Sequence, residues 1–370
     1  MIPLHVPPIT LKEIMSFPAE DYISKLKDLL RAQFNKKTIL FTANGRNSIY
    51  LALKMMRLQR EDEVLVPGYI CESVRVAIEP ICRPVYVDID QRTFNIDPEH
   101  IERHITKNTK AVLVTHLYGN PCKMDRIIEI ARANGLLIIE DAAQALGGEY
   151  QGRKLGSFGD FIIFSFRFSK DIALFRGGVL LANTEVNCDW ESDSSLRAFA
   201  GLSVSLGTMG QIKRMPAKLY TPLREHILLP FFKRQASIFK NTNITLSNYQ
   251  CYLVYKQLGR MGHIIEKRRA NARYYSERLG DIVTTPLEME HGRHTYFRYT
   301  IQTDQRDEMY KYCLKQGIEV DKMYDSPLAY LPNSVAAGKK NLNIPVHHEL
   351  SPDEGDKIVE VIRKFKRSCS

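Results

Sequence analysis

The sequence predicts an α/β fold. We expect a large lobe with a mostly parallel, about seven-stranded sheet covered by helices, and a smaller C-terminal α+β lobe. Two observations lead to this prediction: short apolar runs alternate with helical patterns, and several runs are apolar at consecutive positions, as strands covered on both faces require. The predicted strands are 38–42, 63–67, 84–88, 111–115, 136–140, 161–165 and 178–182.

Residues 1–35 predict an extended, proline-rich arm followed by an amphipathic helix. Ile23, Leu26, Leu29 and Leu30 share one face of that helix. Because the arm can bury little of its own surface, we expect it to pack on another lobe or on a second subunit.

We expect the larger lobe over residues 1–240 and the smaller lobe over residues 241–370. Ser351 followed by Glu354 is a capping-box pattern, which indicates where the last helix begins. The elements expected in the smaller lobe are a long helix over 247–279, strands over 296–303 and 318–321, and helices over 307–316 and 352–365.

Composition favours a globular protein of a reducing compartment. Of the 370 residues, 44% are hydrophobic and 25% are charged, which is typical of soluble domains. The seven cysteines are scattered without a C-x-x-C pair, so neither a disulfide framework nor a metal site is expected. The sequence has no signal-peptide pattern and no apolar run long enough to span a membrane. We therefore predict a cytoplasmic protein.

The net charge of +10 makes anionic partners plausible without selecting one. Residues 203–240 mix apolar residues with seven lysines and arginines against the single acid Glu225. This pattern favours a helical excursion that packs on the protein with solvated cationic tips. The alternative is peripheral contact with an anionic membrane, or with a phosphorylated ligand. Nucleic-acid binding has only the net charge in its favour.

The stretch 136–184 carries the candidate chemistry. Asp141 follows a buried strand and precedes a run of small residues that predicts a helix. A carboxylate there either caps that helix or pairs with a cation such as a protonated pyridine nitrogen; on Asp141 alone the two readings are equally good. A glycine-dense hairpin over 151–160 then returns the chain toward the first strand.

Ser165 and Lys170 end the next strand and begin the loop after it. A lysine amine can form a Schiff base with an aldehyde when its surroundings keep it partly deprotonated, and a serine hydroxyl can donate to a phosphate. A third piece is the turn that contains Gly45 and Arg46, between a strand and a helix. Its free N–H groups and the guanidinium would suit a phosphate.

Short segments along almost the whole chain resemble those of the DegT/DnrJ/EryC1/StrS group of pyridoxal-phosphate-dependent sugar aminotransferases, which have the aspartate aminotransferase fold (fold type I). The segments are 66–67, 84–88, 95–98, 116–121, 138–145, 156–160, 164–166 with Lys170, 247–248, 266–273 and 344–347.

The resemblance implies a role for each matching residue. Lys170 would hold pyridoxal phosphate (PLP) and shuttle the proton. Asp141 would face the pyridine nitrogen, and Gln144 the ring hydroxyl. Ser165, Gly45 and Arg46 would form the phosphate cradle, Cys71 would lie over the ring, and Asn248 would reach the phosphate site of the partner in a homodimer with shared active sites.

The implied reaction is a ping-pong transfer through Schiff bases, in which an amino acid, expected to be L-glutamate, aminates a nucleotide-linked keto-sugar for polysaccharide, lipopolysaccharide or glycosylated-metabolite biosynthesis. Two alternatives are a PLP-dependent sugar dehydratase of the same fold, whose lysine-free branch Lys170 argues against, and a non-catalytic regulatory or scaffold relative.

Departures from the family pattern concern the substrate more than the cofactor. Arg46 stands where the family usually has threonine, and a thiol at Cys71 cannot stack on a ring, so ring contact has to come from elsewhere. The usual Gly-Glu-Gly-Gly after the lysine is replaced by residues 175–178, Phe-Arg-Gly-Gly.

Overall fold

The computed structural model describes residues 1–167, 169–184, 191–192 and 244–369. The predicted excursion over 203–240, and the predicted lobe boundary between residues 240 and 241, lie outside these ranges. Within the described residues, none of the helices combines the length and apolar character that crossing a bilayer would need.

Fourteen strands are described. They are β1 (Thr38–Thr42), β2 (Glu63–Pro67), β3 (Arg83–Val87), β4 (Thr109–Thr115), β5 (Leu137–Asp141), β6 (Glu149–Tyr150), β7 (Arg153–Lys154), β8 (Phe161–Ser165), β9 (Gly178–Ala182), β10 (Glu191–Ser192), β11 (Ile244–Thr245), β12 (Gly292–Arg293), β13 (Tyr299–Gln302) and β14 (Asn341–Ile344). Seven of them form the central sheet, in the order β1-β9-β8-β5-β4-β2-β3. Only β9 pairs antiparallel there, so the prediction of a mostly parallel seven-stranded sheet is confirmed.

Eleven α-helices are described, and they cover this sheet and build the smaller lobe. They are α1 (Leu11–Ile14), α2 (Tyr22–Phe34), α3 (Gly45–Met55), α4 (Glu72–Ile78), α5 (Pro98–Arg103), α6 (Met124–Ala133), α7 (Asn248–Leu258), α8 (Met261–Leu279), α9 (Arg306–Lys315), α10 (Pro332–Lys340) and α11 (Pro352–Ser368). The capping box predicted from Ser351 and Glu354 is present at the start of α11.

Two predicted elements of the smaller lobe are wrong. The long helix over 247–279 is interrupted between α7 and α8 at Gly259 and Arg260, where glycine's low helix propensity permits a break. At this break, the guanidinium of Arg260 donates hydrogen bonds to the Glu13 carboxylate and to the carbonyl of Pro8. Residues 318–321 form only isolated bridges, because Ile318 pairs with Ile2 and Asp321 with Asn343.

Separate apolar clusters lie on the two faces of the sheet and in the smaller lobe. One face packs against α3 and α4. Residues of α2 and α7 contribute to a second cluster, and residues of α6 to a third. The sheet β13–β14 packs with α8, α9 and α11 in a cluster of its own. Strand β4 is buried on both faces over 111–115, as its consecutive apolar residues predict.

The N-terminal arm packs on the smaller lobe and on α7, in agreement with the expectation that it needs another part of the molecule. The N–H of Ile2 donates to the carbonyl of Gly317 over 2.7 Å, and the N–H of Leu4 donates to the Glu319 carboxylate over 3.0 Å. Farther along, the hydroxyl of Tyr249 on α7 donates to the carbonyl of Ile14 over 2.7 Å. The arm therefore links α7 to the smaller lobe.

The segment after Asp141 consists of turns, so the small-residue helix predicted there is wrong. The Asp141 carboxylate instead accepts the N–H of Ala143, two residues on, over 3.0 Å, a local bond that competes with helix formation. A hairpin follows, but its strands β6 and β7 cover only 149–154, so it overlaps the predicted hairpin over 151–160 at 151–154 alone. Gln151 and Gly152 both have positive φ at its tip, as a two-residue hairpin turn requires.

Candidate active site

The carboxyl ends of β5, β8 and β1, with the amino end of β9 between β8 and β1, bring the predicted residues to one edge of the sheet. Asp141 ends β5 and Ser165 ends β8. Ser165 is in register with Gly178 of β9, which is in register with Thr42 at the end of β1. Ligands of parallel sheets bind at this edge. Because the interior residues of these strands are apolar, the polar side chains lie at the strand ends.

The predicted phosphate corner is a close contact between Ser165 and the first turn of α3. A Cβ atom on Gly45 would approach the Cβ of Ser165 to 3.0 Å, and a Cβ on Gly178 would approach the nitrogen of Gly45 to 2.9 Å. Both positions therefore favour glycine. Asn44 caps α3 by accepting the N–H of Asn47 over 3.0 Å. The first-turn N–H groups of α3 and the Ser165 hydroxyl share this corner.

Arginine charge adds to the corner. The half-buried Arg46 has a lowered pKa, because burial disfavours its charge and the neighbouring Arg167 repels it. Arg167 is a site residue that the sequence reading missed, although its place two residues after Ser165 was a usable signal. Two neighbouring guanidinium groups at a helix N-terminus form an electropositive place that suits an anion.

Lys170 and Asp141 act on each other across the centre of the site. Burial lowers the pKa of Lys170, and the charge of Asp141 opposes that shift. Burial likewise raises the pKa of Asp141, which is 8% exposed, and the charge of Lys170 opposes it. Each group is thus less charged than it would be in water. The result is a lysine amine that loses its proton more easily than in water, near an acid whose ionised form a cation would stabilise.

Gln144 faces the same space from the loop after β5. Its carbonyl oxygen accepts the N–H of Tyr118 over 3.1 Å, and its amide nitrogen donates to the hydroxyl of Tyr324 over 3.0 Å. The backbone donor fixes which end of the amide carries the oxygen. Tyr324 comes from the smaller lobe, has a φ of 61° and has a pKa raised by burial. The sequence offered no local signal for it.

Cys71, the residue before α4, also faces this space, because charge interactions link it to Lys170, Arg46 and Tyr324. An aromatic ring also lies close to Lys170, whereas the predicted ring contact to the cofactor stays a prediction. The ammonium nitrogen of Lys170 lies 5.4 Å from the ring centroid of Phe297. Phe297 belongs to the loop before β13, whose residue Thr295 donates its N–H to the carbonyl of Gly119 over 3.0 Å.

The carboxylate of Glu140, the residue before Asp141, binds the backbone of segment 156–159, which follows the β6–β7 hairpin. One carboxylate oxygen of Glu140 accepts the N–H of Gly156 over 2.5 Å, and the other accepts those of Phe158 and Gly159, each over 2.8 Å. His116 completes the set. Its Nδ1 accepts the N–H of Cys122 over 3.1 Å, so its Nε2 carries the proton and donates to Glu140 over 3.0 Å.

The loop after Lys170 is held by buried polar side chains on α7 and α8. Both ends of the Gln257 amide bond to the backbone of Ala173, over 2.8 and 3.2 Å. Arg268 pairs with Asp171 over 2.5 Å, and both side chains are almost fully buried. These contacts fix the backbone on the C-terminal side of Lys170.

Asn248 is the predicted site residue that the chain does not bring to this cluster by any described contact. Its side-chain oxygen accepts the N–H of Tyr22 over 2.7 Å, and its amide nitrogen donates to the carbonyl of Glu20 over 2.8 Å. Asn248 thus binds the first turn of α2, which Asp21 caps, within its own chain. Its predicted reach into a partner's phosphate site stays a prediction.

The residues fit pyridoxal phosphate. Schiff-base formation with the aldehyde needs an amine that can lose its proton, and burial lowers the pKa of Lys170. The pyridinium nitrogen needs an anion, for which the buried carboxylate of Asp141 would be suited. The phosphate needs N–H donors and cations, which the corner around Gly45 and Arg46 supplies. Among the described residues, no cluster of side chains suited to a metal ion is present. Fold and site together define a fold type I PLP enzyme.

Comparisons with known proteins place the chain within that class. The model of the DegT/DnrJ/EryC1/StrS aminotransferase family matches residues 17–363, and the chain belongs to this family of PLP-dependent aminotransferases.

Individual relatives are similar to this chain over most of their own length. GDP-perosamine synthase of Caulobacter vibrioides is 32% identical over 86% of this chain and 83% of its own. A protein of Geobacillus stearothermophilus named "Pleiotropic regulatory protein" is 30% identical over 96% of this chain and 93% of its own. The crystal structure of a family aminotransferase from Brucella abortus has the same fold, with a TM-score of 0.75 and 23% identity over 94% of this chain and 91% of that one.

Proposed function

We propose that this aminotransferase moves the amino group of an amino acid, L-glutamate, to a nucleotide-linked keto-sugar in a ping-pong reaction. One observation carries the chemistry: burial disfavours the charged forms of Lys170 and Asp141 while the charge of each favours ionisation of the other, at the sheet edge where Gly45 and Ser165 form a corner that suits an anion. The nucleotide-sugar acceptor is supported by the similarity to GDP-perosamine synthase.

When bound, PLP supplies an aldehyde that accepts the amino group and a ring that draws electrons from the substrate carbon. The Asp141 carboxylate would hold the positive charge on the ring nitrogen. The Lys170 amine would bind the aldehyde and could carry a proton to and from the substrate carbon, because burial lowers its pKa and eases loss of the proton. Gln144 is fixed by Tyr118 and Tyr324 where it can meet the ring hydroxyl.

The first half-reaction provides the direct test. PLP-loaded protein is mixed with L-glutamate in the absence of a keto-sugar, and visible absorption and 2-oxoglutarate are followed together. We expect the visible band to disappear while about one equivalent of 2-oxoglutarate forms per active site. If no amino acid converts the band although PLP is bound, amino transfer is excluded, and the sugar dehydratase becomes the better assignment.

A regulatory role is the second candidate, because one relative is named "Pleiotropic regulatory protein". Presence of Lys170, Asp141, Gln144 and Ser165 together supports turnover instead. A regulatory protein without turnover would bind PLP yet fail the half-reaction test with every amino donor. It would also leave every nucleotide-linked keto-sugar unchanged in the complete reaction.

We also propose a cytoplasmic homodimer with shared active sites, in which Asn248 serves the partner's phosphate site. Peripheral membrane contact through 203–240 stays a prediction about residues that the structure does not describe. Flotation with anionic and with neutral liposomes tests it, and equal behaviour in both would exclude it.

A further inference from the structure

Asp88, which follows β3 in the larger lobe, caps a helix of the smaller lobe. One oxygen of its buried carboxylate accepts the N–H and the hydroxyl of Ser334 over 2.9 and 2.8 Å, and the other accepts the N–H of Asn333 over 2.9 Å. Both N–H groups belong to the first turn of α10. Leu331 stands at the cap position of that helix without a side-chain hydrogen bond, so Asp88 satisfies these donors in its place.

Asn333 strengthens the attachment from the helix side. Its amide nitrogen donates to the carbonyl of Ile89 over 2.8 Å, and its amide oxygen accepts the side-chain N–H of Gln91 over 2.6 Å. The charge of Asp88 also suits the positive end of the helix dipole. We call Asp88 and Asn333 together the α10 clamp, because they join the first turn of this helix to the larger lobe.

The clamp fixes the end of the segment 322–331, which precedes α10 and consists of turns and irregular backbone. Within this segment, the N–H of Leu328 donates to the carbonyl of Gly68 over 2.9 Å. The contact is close, because a Cβ atom on Gly68 would approach Leu331 to 2.9 Å. Irregular backbone makes few regular hydrogen bonds of its own, so the position of the segment depends on such attachments.

Tyr324 connects this segment with the candidate active site. Its hydroxyl accepts the amide N–H of Gln144 over 3.0 Å. Its φ of 61° is rare for a residue other than glycine and persists only where the surroundings impose it. On the N-terminal side, the hydroxyl of Tyr69 donates to the carbonyl of Met323 over 3.0 Å; on the C-terminal side, the clamp holds α10. Release of the clamp should therefore let Tyr324 relax away from Gln144.

We propose that Asp88 and Asn333 are positioning residues of the reaction. By clamping α10 to the larger lobe they keep the Tyr324 hydroxyl on Gln144, and they thereby hold the amide of Gln144 where it would meet the ring hydroxyl of PLP. This inference rests on the proposed function, because that function gives Gln144 its place on the ring. It deepens that function, since it makes the attachment between the lobes a determinant of the cofactor's chemistry.

The visible absorption of bound PLP would report on this contact. The amide oxygen of Gln144 already accepts the N–H of Tyr118, so the amide would meet the ring oxygen as a donor. A donor stabilises negative charge on that oxygen, and this charge loses its neighbouring cation when the nitrogen that joins Lys170 to the cofactor gives up its proton. A loosened Gln144 should therefore raise the pH at which the visible band changes.

The pH midpoint of this band is measured for PLP-loaded wild type, Asp88→Asn, Tyr324→Phe and the double variant. Asp88→Asn keeps the size of the side chain but loses one acceptor oxygen, and Tyr324→Phe removes only the hydroxyl. Asp97→Asn is the matched control, because Asp97 also caps a helix, α5, where it accepts the N–H of Glu99 over 3.0 Å.

We expect Asp88→Asn and Tyr324→Phe each to raise the midpoint by about 0.5–1 pH unit, the effect of one hydrogen bond, and Asp97→Asn to keep the wild-type value. The double variant should shift no further than the larger single shift, because both changes act through one contact. An unchanged midpoint in Asp88→Asn, or shifts that add in the double variant, overturns the inference. If Asp88→Asn does not fold, Asn333→Ala replaces it under the same two criteria.

Hydrogen exchange of the cofactor-free protein tests the clamp by itself. Backbone amides over 322–334 should exchange about 5-fold or more faster in Asp88→Asn than in wild type, as loss of one hydrogen bond predicts, and at the wild-type rate in Asp97→Asn. Equal exchange in Asp88→Asn and wild type overturns the inference. If wild-type protein binds no PLP, the proposed function fails instead, and the exchange rates still decide whether Asp88 holds the segment.

Discussion

At the scale of single residues, burial shifts the pKa values of Lys170 and Asp141 toward their neutral forms, and the charge of each residue partly offsets the shift of the other. Neither has a close ion-pair partner in the described part of the chain, yet each senses the other's charge. Both pKa shifts favour neutral side chains in the cofactor-free protein, whereas the loaded enzyme would need Asp141 to be ionised.

Attachment of PLP to Lys170 should depend on pH according to the lowered pKa of this lysine. Because burial favours the neutral amine, the attachment rate should rise with pH and level off below the usual lysine value of 10.5. Stopped-flow absorption of cofactor-free protein mixed with PLP measures this profile. A rate that still rises steeply through pH 10.5 would contradict the account of Lys170.

Asp141→Asn should change stability and activity in opposite directions. Burial raises the pKa of Asp141, so its ionised form destabilises the folded protein above the usual value of 3.8. Removal of that charge should leave the free energy of unfolding of the cofactor-free protein unchanged or higher at pH 7. The loaded variant should lose about 10- to 100-fold in activity, since a charge-assisted contact contributes about 1.5–3 kcal/mol.

Urea unfolding and the glutamate half-reaction provide the two measurements for Asp141→Asn. Asparagine keeps an oxygen that can accept the N–H of Ala143, so the local turn is preserved. A variant that is less stable without cofactor and fully active with it would reverse both expectations.

At the scale of elements, the segment 156–159 depends on one buried carboxylate. Burial opposes ionisation of Glu140, but the hydrogen bonds from His116 and from backbone N–H groups hold its pKa below the usual value. A lowered pKa means that this stabilisation is present above the usual value of 4.5 and is lost as the pH falls through the pKa of the folded state.

Glu140→Gln should therefore destabilise the protein by about 2–4 kcal/mol at pH 7, because an amide NH₂ cannot accept the backbone N–H groups and leaves them buried and unsatisfied. Urea unfolding measures the effect. The control is Glu149→Gln in the nearby strand β6, and we expect its free energy of unfolding to lie within ~0.5 kcal/mol of the wild-type value. The gap between wild type and Glu140→Gln should narrow below pH 4.5; equal stability at pH 7 would refute the role of Glu140.

The elements that the sequence predicted best are those with a local cause. Consecutive apolar residues predicted β5 and β8, and hence the positions of Asp141 and Ser165 at the sheet edge. The break between α7 and α8 was missed although Gly259 is a local signal for it, because a single glycine does not always end a helix. Tyr324 and Phe297 were missed because their places depend on how the smaller lobe packs.

At the scale of the whole molecule, the shared active site of the proposed dimer can be tested by complementation. Lys170→Ala protein should be inactive, and Asn248→Ala protein should bind PLP more weakly. In a mixed dimer, one site would combine Lys170 of one subunit with Asn248 of the other, and activity should exceed that of either variant alone.

Co-expression of the two variants with different tags isolates the mixed dimer, and analytical ultracentrifugation verifies its mass. Asn248→Ala also removes a hydrogen bond to the first turn of α2, so its unfolding is measured in parallel. If the mixed dimer gains no activity over its parents, the sites are not shared through Asn248.

The attachment of PLP to Lys170 is the central claim, and reductive trapping tests it most directly. PLP-loaded protein is reduced with borohydride and digested, and the peptides are analysed by mass spectrometry. We expect the cofactor on the peptide that contains Lys170, and no stable adduct in Lys170→Ala, whereas Lys36→Ala, which removes another buried lysine, should still be labelled at Lys170. Labelling of a different lysine in wild-type protein, or unchanged labelling of Lys170→Ala, would contradict the assignment.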